Sequence, residues 1–179
     1  MMADDQDTDE QEGRVMPNKN DKTFRGNASQ FFVAGELCRR NLVAVVTLGN
    51  TPNTDILCSN PEGTKFVHIQ VKTFVPGNRT VSVGQKAERF YGDNFFWVLG
   101  GIPTPDSGRD FEYYIIPSRD VADHVKRSHA QWLQGVRPDG EARQDSKVRT
   151  IHLPPRTTYD GWSIEQYLNR WDLIESLLR

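Results

Sequence analysis

Asp55, Gln70 and Lys72 are the residues of this chain whose types and spacing suit chemistry. They supply a carboxylate, an amide and an ammonium. Gln70 and Lys72 are two residues apart and point the same way if they share a strand. Carboxylate and amide oxygens are hard ligands of the kind that Mg²⁺ or Mn²⁺ takes, and Mg²⁺ keeps several waters and binds substrate phosphate as well. Such a cation makes a bound water more acidic and stabilises charge on phosphoryl oxygens. A neighbouring lysine can orient or help deprotonate the attacking water and neutralise developing charge. The set therefore supports phosphodiester hydrolysis. A strand that shows Asp, Gln and Lys on one face is usually only a solvated face, so the elements that carry the three residues decide between the readings.

Those elements read as a hairpin. Asp55–Ser59 and Lys65–Phe74 have strand composition, and between them Asn60-Pro61-Glu62-Gly63 has Pro second and Gly fourth, which suits a type I turn. Directly opposed residues lie equally far from the turn centre near Glu62, which sets Asp55 across from Gln70 on one face. The other face collects Ile56, Cys58, Val67, Ile69 and Val71, all apolar, as a core-facing surface requires. A slip of one residue would turn that set outward, so the pattern supports the register.

Around the hairpin the chain alternates between helical and strand patterns. A helix is expected from Asn27 to about Asn41, with Phe31, Ala34, Gly35, Cys38 and Leu42 on one face. Gly35 costs that helix something relative to Ala, which points to close packing there. Val43–Leu48 reads as a strand, as do Thr80–Val83, Phe95–Leu99 and Glu112–Ile116, with a short helix around Lys86–Tyr91. A helix from Arg119 to about Leu133 follows Ser118, and residues 136–150 form a long polar loop. The last helix starts near Ser163 and sets Ile164, Tyr167, Leu168, Trp171, Ile174 and Leu178 on one side. This order predicts one α/β domain over residues 23–179, a mixed β-sheet flanked by helices.

The segments Gly35-Glu36, Thr54-Asp55-Ile56 and Gln70-Val71-Lys72 resemble the PD-(D/E)xK nuclease superfamily, over roughly residues 25–75. That superfamily includes restriction endonucleases, Mrr-type nucleases and archaeal Holliday-junction resolvases, and the chain also resembles its small uncharacterised bacterial members. The resemblance implies a restriction-endonuclease-like sheet and a Mg²⁺- or Mn²⁺-dependent endonuclease acting on DNA. Asp55 and Gln70 would hold the metal, and Lys72 would serve as catalytic base or charge stabiliser. An N-terminal helix often supplies a further acidic ligand in this superfamily, and Glu36 matches it by position. Thr54 stands where Pro is usual, a common variation. Gln70 replaces the usual acid, as in Mrr-type Gln-x-Lys sites, and removes one negative charge from the metal site.

Composition bounds the rest. The 179 residues are 36% hydrophobic and 26% charged, ordinary for one globular domain. The net charge of -2 hides an asymmetry. Residues 1–12 carry six carboxylates and no base, which leaves 18 acidic against 22 basic side chains elsewhere. Residues 1–22 are expected to form a disordered acidic arm. The mildly basic body permits DNA binding. Lys86, Arg143, Lys147 and Arg149 are weak candidates for backbone contacts, and solvated charges are the rival reading for each. Trp132, Trp162 and Trp171 read as core more than as base-stacking platforms. No apolar run approaches the ~20 residues of a membrane helix, and the polar N-terminus is unlike a secretory signal. A cytoplasmic location follows, with Cys38 and Cys58 as buried free thiols. With no helix-turn-helix or zinc-finger signature, specificity would come from homodimerisation, a separate partner or DNA shape. The rival functions are a catalytically inactive nucleic-acid-binding module on the same fold and a protein-interaction domain.

Overall fold

The computed structural model describes residues 19–47 and 51–179. Residues 1–18 of the expected disordered arm and Leu48 of the first expected strand lie outside the described residues, while residues 19–22 of that arm are helical. The chain runs α1 (Lys19–Cys38), β1 (Val43–Val46), β2 (Ile56–Ser59), β3 (Phe66–Phe74), β4 (Thr80–Ser82), a 3-10 turn (Gln85–Glu88), β5 (Phe95–Gly101), β6 (Glu112–Pro117), α2 (Ser118–Leu133), β7 (Thr150–His152), a second 3-10 turn (Glu165–Tyr167) and α3 (Asp172–Leu178). Five strands form a mixed sheet in the order β1-β2-β3-β5-β6, and β4 pairs with β7 in a small second sheet. Within the large sheet only β3 and β5 pair in parallel; the other neighbours are antiparallel.

Side-chain alternation divides the core in two. Ile56, Cys58, Val67, Ile69 and Val71 join Phe96, Val98 and Ile115 on one face, beneath Val33 and Leu37 of α1 and Ile174 and Leu178 of α3. On the other face Phe74, Trp97, Leu99 and Ile116 meet Val121 and Val125 of α2 and Val81, Val83 and Ala87 of the β3–β5 connection. A parallel pair needs a crossover. Here the crossover carries β4 and the first 3-10 turn over the second face.

Helix α1 corrects four expectations. It begins at Lys19 rather than Asn27, and its buried stripe is Ser29, Val33, Ala34 and Leu37, whereas Phe31 is 65% exposed. Gly35 has open space around it, so no close packing explains it. The tight approach is at Gly100, where a Cβ would collide with the Ser29 hydroxyl. Cys38 is exposed and only Cys58 is buried.

The long C-terminal helix is broken. Ile164 belongs to the second face and Trp171, Ile174 and Leu178 to the first, so one straight helix could not serve both. The chain turns around the β6 edge instead, where Leu168 bridges Tyr114, Asn169 takes φ 54° and its N–H donates to Tyr113 O at 2.6 Å. The tryptophans Trp162 and Trp171 are buried, as expected. β7 begins at Thr150, the last residue of the expected polar loop.

Candidate functional site

The hairpin register is the one the alternation predicts: Ile56 pairs with Ile69, Leu57 with His68 and Cys58 with Val67. Asp55 enters one residue before β2, its N–H donating to Ile69 O at 2.8 Å. Because β2 starts there, the Val71 N–H would have no strand partner beyond it. Asp55 Oδ2 accepts that N–H at 2.7 Å and also accepts a hydrogen bond from Gln70 Nε2. Among the described residues Asp55 Oδ1 accepts none. One oxygen thus completes the sheet, and the other belongs to a half-buried residue.

Gln70 is 5% exposed, and its amide lies between two charges. Nε2 donates to Asp55, and Oε1 accepts from Lys86 Nζ at 2.9 Å. A carboxylate only accepts and an ammonium only donates, so this orientation of the amide is the one that satisfies both neighbours. Lys72 shares the face and sits half-buried. Burial pulls its ammonium below the usual lysine range, the Lys86 charge adds to this, and Asp55 opposes it. Both effects favour the neutral amine, the form that can accept a proton.

Lys86 lies on the exposed side of the 3-10 turn. The sequence offered it as a weak phosphate contact; the crossover brings it to Gln70. Nearby, the Tyr91 hydroxyl donates to Lys86 O at 3.2 Å and approaches Asn53 Oδ1 at 3.5 Å. Arg89 sits over the Tyr91 ring, and Arg119 over the half-exposed Phe90 ring at 4.1 Å. None of Asn53, Arg89, Tyr91 and Arg119 was singled out by the sequence. The signal for them is the parallel pairing of β3 with β5, which forces residues 75–94 back across this face. His68 also points to this face, its Nδ1 3.3 Å from Thr54 Oγ1.

Other expected site residues lie elsewhere. Glu36 is not brought to Asp55: α1 covers the opposite face, and the sheet lies between them. The Glu36 carboxylate is held by Arg39 and Arg40, and Arg40 in turn packs on Trp171 of the α1–α3 layer. Burial would raise the Glu36 pKa, but the hydrogen bonds from Arg40 and Arg39 outweigh it and the carboxyl titrates below its usual range. Arg149 is 3% exposed. Its Nε pairs with Glu88 and its Nη1 donates to Val148 O at 2.9 Å, so it is a buried support of the turn that carries Lys86. Arg143 is committed to Trp132, donating to its carbonyl at 2.8 Å and stacking over its ring. Lys147 is exposed, and its carbonyl accepts the Gln85 N–H at 3.0 Å.

Asp55 Oδ1 accepts no hydrogen bond among the described residues, whereas Gln70 Oε1 already accepts one from Lys86, and no group of three or more His, Cys, Asp or Glu side chains is placed to hold a metal among the described residues. A Mg²⁺ ion can use one or two carboxylates and take its remaining ligands from waters and substrate phosphate.

No family model and no curated protein sequence matches the chain. Its structure is similar to that of the bacterial homing endonuclease I-Ssp6803I, with a TM-score of 0.51 over 90% of this chain and 95% of that one, at 15% sequence identity. The chain has a nuclease-like fold. No helix among the described residues is long and apolar enough to cross a membrane.

Proposed function

We propose that this protein is a divalent-metal-dependent nuclease that hydrolyses phosphodiester bonds of DNA, with a site of the PD-(D/E)xK type. The observation that carries the reading is the convergence of Asp55, Gln70 and Lys72 on one sheet face, with Asp55 Oδ1 uncommitted among the described residues. The likeness to a homing endonuclease supports DNA as the substrate class.

Asp55 Oδ1 and Gln70 Oε1 would hold Mg²⁺ or Mn²⁺, which when bound supplies a more acidic water and charge stabilisation at the phosphate. Asp55 is fixed for this by the Val71 N–H, so its free oxygen has a set direction. Lys72, shifted toward its neutral form, takes the proton of the attacking water. Lys86 and the cation–aromatic pairs Arg89–Tyr91 and Arg119–Phe90 offer the backbone and bases a charged, stacking rim. Glu36 has no part in this mechanism.

A second reading has one observation in its favour. Gln70 Oε1 is already bonded to a cation, Lys86, as it would be in a DNA-binding module where a lysine has permanently taken the place of the metal. Duplex, single-stranded and branched DNA incubated with Mg²⁺ or Mn²⁺, beside Lys72→Ala, separates the two. The nuclease cleaves at least one of these in wild type and not in the variant. Salt-sensitive binding without cleavage under any condition leaves the binding module.

A further inference from the structure

The contact between Lys86 and Gln70 is built rather than incidental. The backbone of Lys86 is anchored on all sides: Gln85 N–H donates to Lys147 O at 3.0 Å, Val83 N–H to Arg149 O at 2.9 Å, and Lys86 O accepts from Arg89 N–H and the Tyr91 hydroxyl, each at 3.2 Å. Ala87 beside it is fully buried, and Glu88 on the same turn pairs with the buried Arg149. By contrast Lys86 is itself an exposed residue, and its ammonium reaches Gln70 Oε1 at 2.9 Å. A rigid base thus carries a long arm with rotatable bonds. That oxygen is one of the two that the nuclease reading assigns to a cation. A metal taking it would face the ammonium at near-contact distance, where like charges repel strongly.

Building on the nuclease reading, we propose that Lys86 is an intrinsic competitor for the metal: it occupies Gln70 Oε1 in the free protein and must swing off before a divalent cation binds there. In the free protein the ammonium neutralises the Asp55–Gln70 pair and locks the amide with its oxygen outward. When the cation arrives the arm is released toward the mouth of the site, where a DNA phosphate can take the charge. Metal and substrate phosphate then favour one another's binding, since each removes an obstacle to the other. The Lys86 contact in the second reading becomes a reversible state of the first.

The test is a calorimetric titration of Mg²⁺, and separately Mn²⁺, into the full chain without DNA. The proteins are wild type, Lys86→Met, Lys86→Arg, Arg89→Met and Asp55→Asn. Loss of a charge-assisted competitor bond should tighten metal binding about tenfold or more in Lys86→Met. Lys86→Arg keeps a donor and a charge, and should stay within about threefold of wild type. Arg89→Met removes a nearby charge with no bond to Gln70 and should change little, which separates competition from diffuse electrostatics. Lys86 is exposed, so replacing it leaves the buried core untouched. Lys86→Met no tighter than wild type, or Arg89→Met tightened equally, overturns the proposal while Asp55-dependent binding leaves the site reading intact. Metal binding indifferent to Asp55→Asn overturns the site reading itself.

Discussion

The β2–β3 hairpin treats its polar groups in opposite ways at its two ends. At the turn, Asn60 is buried and its side chain is used up: Oδ1 accepts the Thr64 and Lys65 N–H groups at 2.9 and 3.0 Å, and Nδ2 donates to Thr64 Oγ1 at 2.9 Å. At the open end, Asp55 has one oxygen committed and one left over, and Lys72 is held half-buried with its charged form disfavoured. A buried polar group that is fully paired stabilises a fold. One that is partly paired at a solvent-reachable edge is what a ligand site needs. On the proposed reading, incomplete pairing rather than polarity alone sets the open end apart from the turn.

Substitutions should separate the two ends. Lys72→Ala should lower DNA cleavage by about 10²- to 10⁴-fold, the range for loss of a positioned proton acceptor, in a single-turnover assay. Asn60→Ala should leave the cleavage rate of the folded protein unchanged and lower stability by about 1–3 kcal/mol in urea denaturation, since it strands two N–H groups.

A third expectation concerns the stability side of Lys72. Its folded pKa is depressed below the unfolded value, so between the two values the unfolded chain holds more protons and stability rises with pH. Below the folded value the buried charge is a standing cost. Lys72→Met should therefore melt at a higher temperature than wild type near neutral pH, with the difference shrinking as pH rises through the folded pKa. A lower melting temperature in the variant would show that the ammonium is satisfied in the fold. The smallest effect is in the cysteines. Burial pushes the Cys58 thiol up to about 12, so a maleimide should label exposed Cys38 rapidly in the native protein and Cys58 only on unfolding.

The hairpin and its register were legible because strand side chains alternate strictly and the turn chemistry sits between Asn60 and Gly63. The apolar set from Ile56 to Val71 left one register that buries it. Helix α1 was misread by rotation. Phe31 and Phe32 are apolar yet exposed, and the buried stripe includes Ser29, so hydrophobicity named the wrong face. The C-terminal break was hidden because Ile164 through Leu178 keep helical spacing while serving two faces of the sheet. Arg149 looked like a free cation because its partner Glu88 lies 61 residues away. Lys86 could be placed at Gln70 only once β3 and β5 were known to be parallel. Glu36 was carried by the family resemblance, and the layer that α1 covers removes it.

The comparison between the hairpin ends rests on Asp55 and Gln70 forming a cation site, and a calorimetric Mg²⁺ titration of wild type, Gln70→Glu and Asp55→Asn tests that most directly. Wild type should bind weakly, because an amide offers less charge than a carboxylate. Gln70→Glu adds a negative charge opposite Asp55 and should bind more tightly, and Asp55→Asn should lose binding. Equal binding across all three proteins would contradict the account.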